Sequence, residues 1–160
     1  MGNLLTAIFG KRVLKQVSST VYADWAVQML IQGHDTHSLR ILAGLDRFAS
    51  TYEAEEYFLR TVKELHLTLP DSDTAIRSYA CEIAQNIVDG EISGKEGIRM
   101  LSQICLDMDY PHDYLVWFHL DDALDSLLHG HYPVTYESLT LENVDQVAKR
   151  EAENFIKIVG

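Results

Sequence analysis

Residues that break or staple a chain are scarce here: three prolines, nine glycines and two cysteines in 160 residues. So few breakers favour long regular elements over a loop-rich fold. Cys81 and Cys105 lie in helical patterns beside apolar residues, with no second Cys or His at metal-ligand spacing. That excludes the usual zinc modules and reads as buried free thiols in a reducing, cytoplasmic setting, with a disulfide between the two left open. No apolar run approaches the roughly 18 residues of a membrane span. Leu4 to Phe9 is apolar, but Lys11 and Arg12 follow it where a secretory signal would have its cleavage site. A phosphate-binding loop, a dinucleotide fingerprint, a metalloprotease pair and a nucleophile elbow are all missing. No cofactor is implied.

Positive charge is also scarce. The formal net charge is −11, and an acidic chain repels phosphate backbones, so a nucleic-acid partner is not expected. Residues 100–148 contain no Lys or Arg, yet hold Asp107, Asp109, Asp113, Asp121, Asp122, Asp125, Glu137, Glu142 and Asp145. Residues 1–23 show the reverse, with Lys11, Arg12 and Lys15 and no acid before Asp24. Such asymmetry suits a basic partner, a divalent cation or plain solubility.

What is present is helical periodicity. Tyr22, Trp25, Ala26, Met29 and Leu30 share one face, with a stop near Gly33. Leu39, Leu42 and Leu45 follow a start at Asp35 or Thr36. Ser50 and Glu53 have capping-box spacing ahead of the stripe Ala54, Tyr57, Phe58, Thr61, Val62 and Leu65. Pro70 and Asp71 open a helix whose inner face is Ile76, Tyr79, Ala80, Ile83, Ala84 and Ile87, ending at Gly90. Ser93 and Glu96 start the next, carrying Ile98, Leu101, Ile104, Cys105 and Met108 and broken at Tyr110-Pro111. A helix from about Asp113 to Leu128 turns Val116, Leu120, Ala123, Leu124 and Leu127 inward. A loop over 131–139 precedes a last helix with Leu141, Val144, Ala148, Ala152, Phe155 and Ile156. Period-two alternation and a fixed repeat are both absent. The expectation is one all-α domain over residues 1–160, a multi-helix bundle or irregular stack of about seven to eight helices. Residues 1–18 form a loosely attached first helix in this reading.

Three groups of residues invite a chemical role. Asp107, Asp109, His112 and Asp113 combine carboxylates with a histidine, as a divalent-metal enzyme requires. Counted from Asp107, however, an EF-hand would need glycine at His112 and glutamate at Phe118. Pro111 also interrupts the helical spacing of a carboxylate-bridged site. The plainer reading is a polar turn, so no metal site is expected. His119 and Asp122 share a helix face, with His112 as a third candidate beside them, as a general base and its orienter would, but no nucleophile accompanies them. His34 with His37, and His129 with His131, are loose pairs. Third, Met1-Gly2-Asn3-Leu4-Leu5-Thr6 matches the N-myristoylation pattern, and Leu4, Leu5, Ile8 and Phe9 with Lys11, Arg12 and Lys15 would supply the second membrane signal. This segment resembles the amphipathic N-terminal helix of the Arf small GTPases, over about a dozen residues and without any GTPase loop. It implies a membrane-attached adaptor, against the alternative of an apolar helix docking on the bundle.

A second resemblance points elsewhere. Ala23-Asp24-Trp25-Ala26-Val27-Gln28-Met29-Leu30, then Gly33, then Ser38-Leu39-Arg40-Ile41-Leu42-Ala43-Gly44-Leu45 resembles a pattern in small all-helical bacterial proteins. Tyr110 to Tyr132, centred on Leu120-Asp121-Asp122, is similar to their later part. The resemblance implies a bacterial origin, where N-myristoylation is not expected, and an immunity or antidote role that neutralises a toxin. It carries over no catalytic residue. The function expected is therefore non-enzymatic: Asp107, Asp109, Asp113, Asp121, Asp122 and Asp125 would meet a basic protein partner.

Overall fold

A computed structural model describes residues 3–160, with side chains described from Leu5 onward. The myristoylation residue Gly2 lies outside the described residues. The fold is all-α: eight helices and no strand among the described residues. They are α1 (Asn3–Val13), α2 (Ser19–Ile31), α3 (His37–Ala43), α4 (Thr51–Glu64), α5 (Ser72–Asp89), α6 (Gly94–Asp107), α7 (Leu115–Leu128) and α8 (Val144–Val159). Short 3₁₀ turns cover His112–Tyr114 and Val134–Tyr136, the second within the expected loop. No described helix is long and apolar enough to cross a membrane.

Helix starts follow the side chains that can accept a first-turn amide. The Oγ of Ser18, Ser50 and Ser93 accept from the amides of Val21, Glu53 and Glu96, and Thr36 Oγ1 accepts from Leu39. Asp71 Oδ1 does the same for Thr74. Each satisfies an N–H that has no partner within the helix. Helix ends follow one device as well. In α1, α2, α4, α5, α6 and α7 a residue with left-handed backbone sends its amide back three residues, and its successor reaches back five. This is the Schellman closure. Gly33, Gly90 and Gly130 occupy the left-handed position in three of them, as the sequence suggested. Lys15, His66 and Asp109 occupy it in the others, at φ of 57°, 53° and 59°.

By contact the chain divides into two compact units, Met1–Tyr79 and Ala80–Gly160. No linker marks the division, because it falls inside the continuous helix α5.

In the first unit the core gathers around Phe58, whose ring lies 4.9 Å from Tyr22, 5.1 Å from Trp25 and 6.0 Å from Phe9. Ile8 and Phe9 are buried in this core, so part of the apolar stripe of α1 is used internally. Gly10 allows the approach: a Cβ there would meet Tyr79 Cβ at 2.3 Å. Arg12 Nε donates to Glu55 Oε1 at 2.7 Å, and the Tyr22 hydroxyl donates to the other oxygen of the same carboxylate. One acid thus ties α1, α2 and α4 together.

In the second unit Phe155 of α8 packs edge-on against Tyr114 and Trp117 at 5.0 and 5.8 Å. Trp117, which reads as core from the sequence, is fully buried, while Val116, expected to face inward, is half-buried. Leu141 precedes α8 and is exposed, and Val147 is buried on the inner face of that helix. The first amide of α6, on Gly94, donates to Asp145 Oδ1 of α8 at 2.7 Å. That carboxylate sits where the helix dipole favours an anion.

Candidate functional site

Helices α6 and α7 and the turn between them position the six predicted aspartates. The α6 closure puts Asp109 and Tyr110 at successive left-handed residues, and Tyr110 N reaches Cys105 O at 2.9 Å. The chain therefore leaves the helix abruptly, and Asp113 enters the 3₁₀ turn that leads into α7. Asp107, Asp109, Asp113, Asp122 and Asp125 are exposed, and Asp121 is half-buried.

The aspartates do not all point one way. Arg99 lies just outside the cation-free stretch and donates to Asp121 Oδ1 at 2.6 Å and to Asp125 Oδ1 at 2.7 Å. Asp121 and Asp125 stand one helical turn apart, so a single guanidinium fork spans both. The two carboxyls respond in opposite senses. Burial raises Asp121 above the usual carboxylate range, with the charge of Arg99 opposing it. The bond from Arg99 lowers exposed Asp125. Asp122 faces another neighbour, the Thr135 hydroxyl, which is shared between the Asp122 carboxylate at 3.0 Å and the His119 carbonyl at 2.8 Å. Asp107 accepts from Gln103 at 2.9 Å. The acids least committed within the chain are thus Asp109 and Asp113, while Asp122 shares one hydroxyl donor with a backbone carbonyl.

Among the described residues no three His, Cys, Asp or Glu side chains are placed to hold a metal ion, and Asp107, Asp109, His112 and Asp113 form no such set. The cysteines are both free, Cys105 buried and Cys81 half-buried. Burial pushes the Cys105 thiol up, away from the thiolate that nucleophilic chemistry needs. His129 Nδ1 lies 2.8 Å from Asp125 O at the end of α7, a local capping contact. A second feature of this unit is an open groove of about 680 Å³ beside the α6 N-terminus. Asp89, Glu91 and Asp145 line it with Lys149, so it is acidic as well.

Sequence reasoning missed two aromatic residues in this region. Tyr110 served there only as a helix breaker, and Phe118 fell between the buried positions Trp117 and Leu120. Their rings meet at 5.2 Å and 90°, with Tyr110 46% exposed. The missing signal is tertiary: Tyr110 reaches Phe118 only because the left-handed pair turns the chain back.

The fold and this surface define an all-α chain with acidic and aromatic groups concentrated in its second unit. Comparison with protein-family models, curated proteins and solved structures finds no match for it.

Proposed function

We propose that this protein is a non-enzymatic interaction module of the bacterial cytoplasm, of immunity or antidote type, that captures a basic protein partner through the acidic surface of its second unit. One observation carries the reading. Residues 80–160 hold fifteen Asp and Glu against five Lys and Arg, whereas residues 1–79 hold nine against eight. Nearly all of the net charge of −11 therefore belongs to one unit. A one-sign field of this kind speeds encounter with an opposite charge and weakens as salt rises.

The test is affinity capture from the native host with wild type and with an Asp113→Lys/Asp122→Lys variant, at low and at high salt. These two positions leave the Arg99 bridge intact. The expected result is a basic protein recovered by wild type at low salt and lost by the variant. If both recover the same proteins under both conditions, the acidic surface is not a recognition surface.

A further inference from the structure

Cations sit over aromatic rings at three places among the described residues, and all three lie in the first unit. Arg47 covers Phe48 at 4.7 Å, Arg60 covers Tyr57 at 5.4 Å, and Lys11 lies 5.8 Å from the ring of Tyr79. The second unit has exposed rings at Tyr110 and Tyr132 but no such pair. No Lys or Arg lies between residues 100 and 148, and the nearest one before that stretch, Arg99, is already bonded to Asp121 and Asp125. The Tyr110 ring is exposed on one side and held on the other. It is set against Phe118, and Asp109 precedes it in the chain. His119 and Asp122, the next exposed positions along α7, are joined through Thr135 to the segment carrying Val134, which is 72% exposed.

An exposed ring with one carboxylate beside it in the chain, a second one helical turn beyond its partner ring, and no Lys or Arg from 100 to 148 complements a planar cation. Guanidinium satisfies both parts at once, because it stacks on a ring face and forks to a carboxylate in its own plane. An ammonium is a compact, strongly hydrated charge and gains less from the ring. Resting on the acidic-surface reading above, we infer that the partner docks an arginine-bearing segment on the Tyr110–Phe118 pair, its guanidinium over the Tyr110 ring and its donors toward Asp109 or Asp122.

The full chain is titrated with fluorescein-labelled hexa-arginine and hexa-lysine, read by anisotropy at about 20 mM and about 150 mM salt. Hexa-arginine should bind about five-fold more tightly than hexa-lysine, a preference that survives the higher salt. Tyr110→Leu keeps apolar area without a π face and should abolish the preference, while Tyr110→Phe keeps it. Phe48→Ala, on an exposed ring of the first unit, should change nothing. Equal binding of the two peptides, or an arginine preference that Tyr110→Leu retains, overturns the inference. If the peptides bind equally and Asp113→Lys/Asp122→Lys weakens both, the acidic-surface reading stands without the arginine. If neither binds even at low salt, both fall.

Discussion

The two units use charge in opposite ways. In the first, acids and bases nearly balance, and the acids are spent on its own helices. Glu55 joins Arg12 and Tyr22, Glu64 accepts from both the amide and the hydroxyl of Ser38, Asp35 pairs with Arg40, and Glu56 with Arg60. In the second, Arg99 serves two aspartates at once, and acids outnumber bases three to one. Both units have aromatic-centred helical cores, so the charge difference is not demanded by packing. Where folding needs no such excess, it costs self-repulsion and is retained for solubility or for a partner.

That contrast can be broken or sharpened by four measurements. The largest effect should come from the cores, where the units are alike. Phe58→Ala in the first and Phe155→Ala in the second should each cost about 3–5 kcal/mol in denaturant unfolding. A cost below about 1 kcal/mol at either site would mean that the ring contacts there do not hold the unit.

Next comes the shared carboxylate of the first unit. Burial, and then the bond to the Glu55 carboxylate, raise the Tyr22 hydroxyl well above its usual range. The folded chain therefore keeps a proton that the unfolded chain releases near pH 10. Its stabilisation is complete below about pH 10 and is lost as pH rises further, by up to about 1.4 kcal/mol per pH unit. Tyr22→Phe should flatten this alkaline loss. An unchanged slope would assign it to other groups.

Smaller effects belong to the helix ends. A non-glycine residue in left-handed conformation is held there at a cost of roughly 1–2 kcal/mol, part of which glycine returns as unfolded-state entropy. Lys15→Gly and His66→Gly should each stabilise by about 0.5–1 kcal/mol in thermal or denaturant melts, and Gly33→Ala should destabilise by about 1 kcal/mol. Destabilisation by His66→Gly would show that its side chain contributes more than the backbone strain takes away.

The smallest effect concerns the field itself. Raising salt from about 10 mM to about 150 mM shortens the screening length from roughly 30 Å to 8 Å. Native-state hydrogen exchange should show the second unit gaining a few tenths of a kcal/mol while the first stays level. Equal responses would erase the electrostatic distinction between them.

Much of this was legible in advance, at particular residues. Ser50 with Glu53 and Ser93 with Glu96 marked two helix starts to the residue, because a cap depends on neighbours three positions apart. Gly33, Gly90 and Gly130 marked three ends, because only glycine adopts φ > 0 without penalty. Lys15, His66 and Asp109 gave a far weaker warning, since Asp and His merely tolerate the left-handed region better than most residues and Lys does not favour it. The first helix illustrates a different limit. Its apolar stripe suits a membrane or a core equally well, and only the burial of Ile8 and Phe9 and the close approach at Gly10 select the core for those residues. Within the candidate site, the acidic residues were legible as composition. Their split was not, because Arg99 lies one position outside the cation-free stretch and reaches Asp121 and Asp125 across 22 and 26 residues.

By itself, then, the order of residues determined the helical class, most helix limits and the uneven charge. Each depends on interactions within a few positions or on simple counting. The tertiary structure alone decided that the chain divides inside α5, that Val116 is only half-buried, and that Arg99 takes two of the six aspartates. It also decided that Tyr110 meets Phe118. Those outcomes rest on side chains brought together from distant turns, and their energies depend on distance and burial, which sequence spacing does not contain.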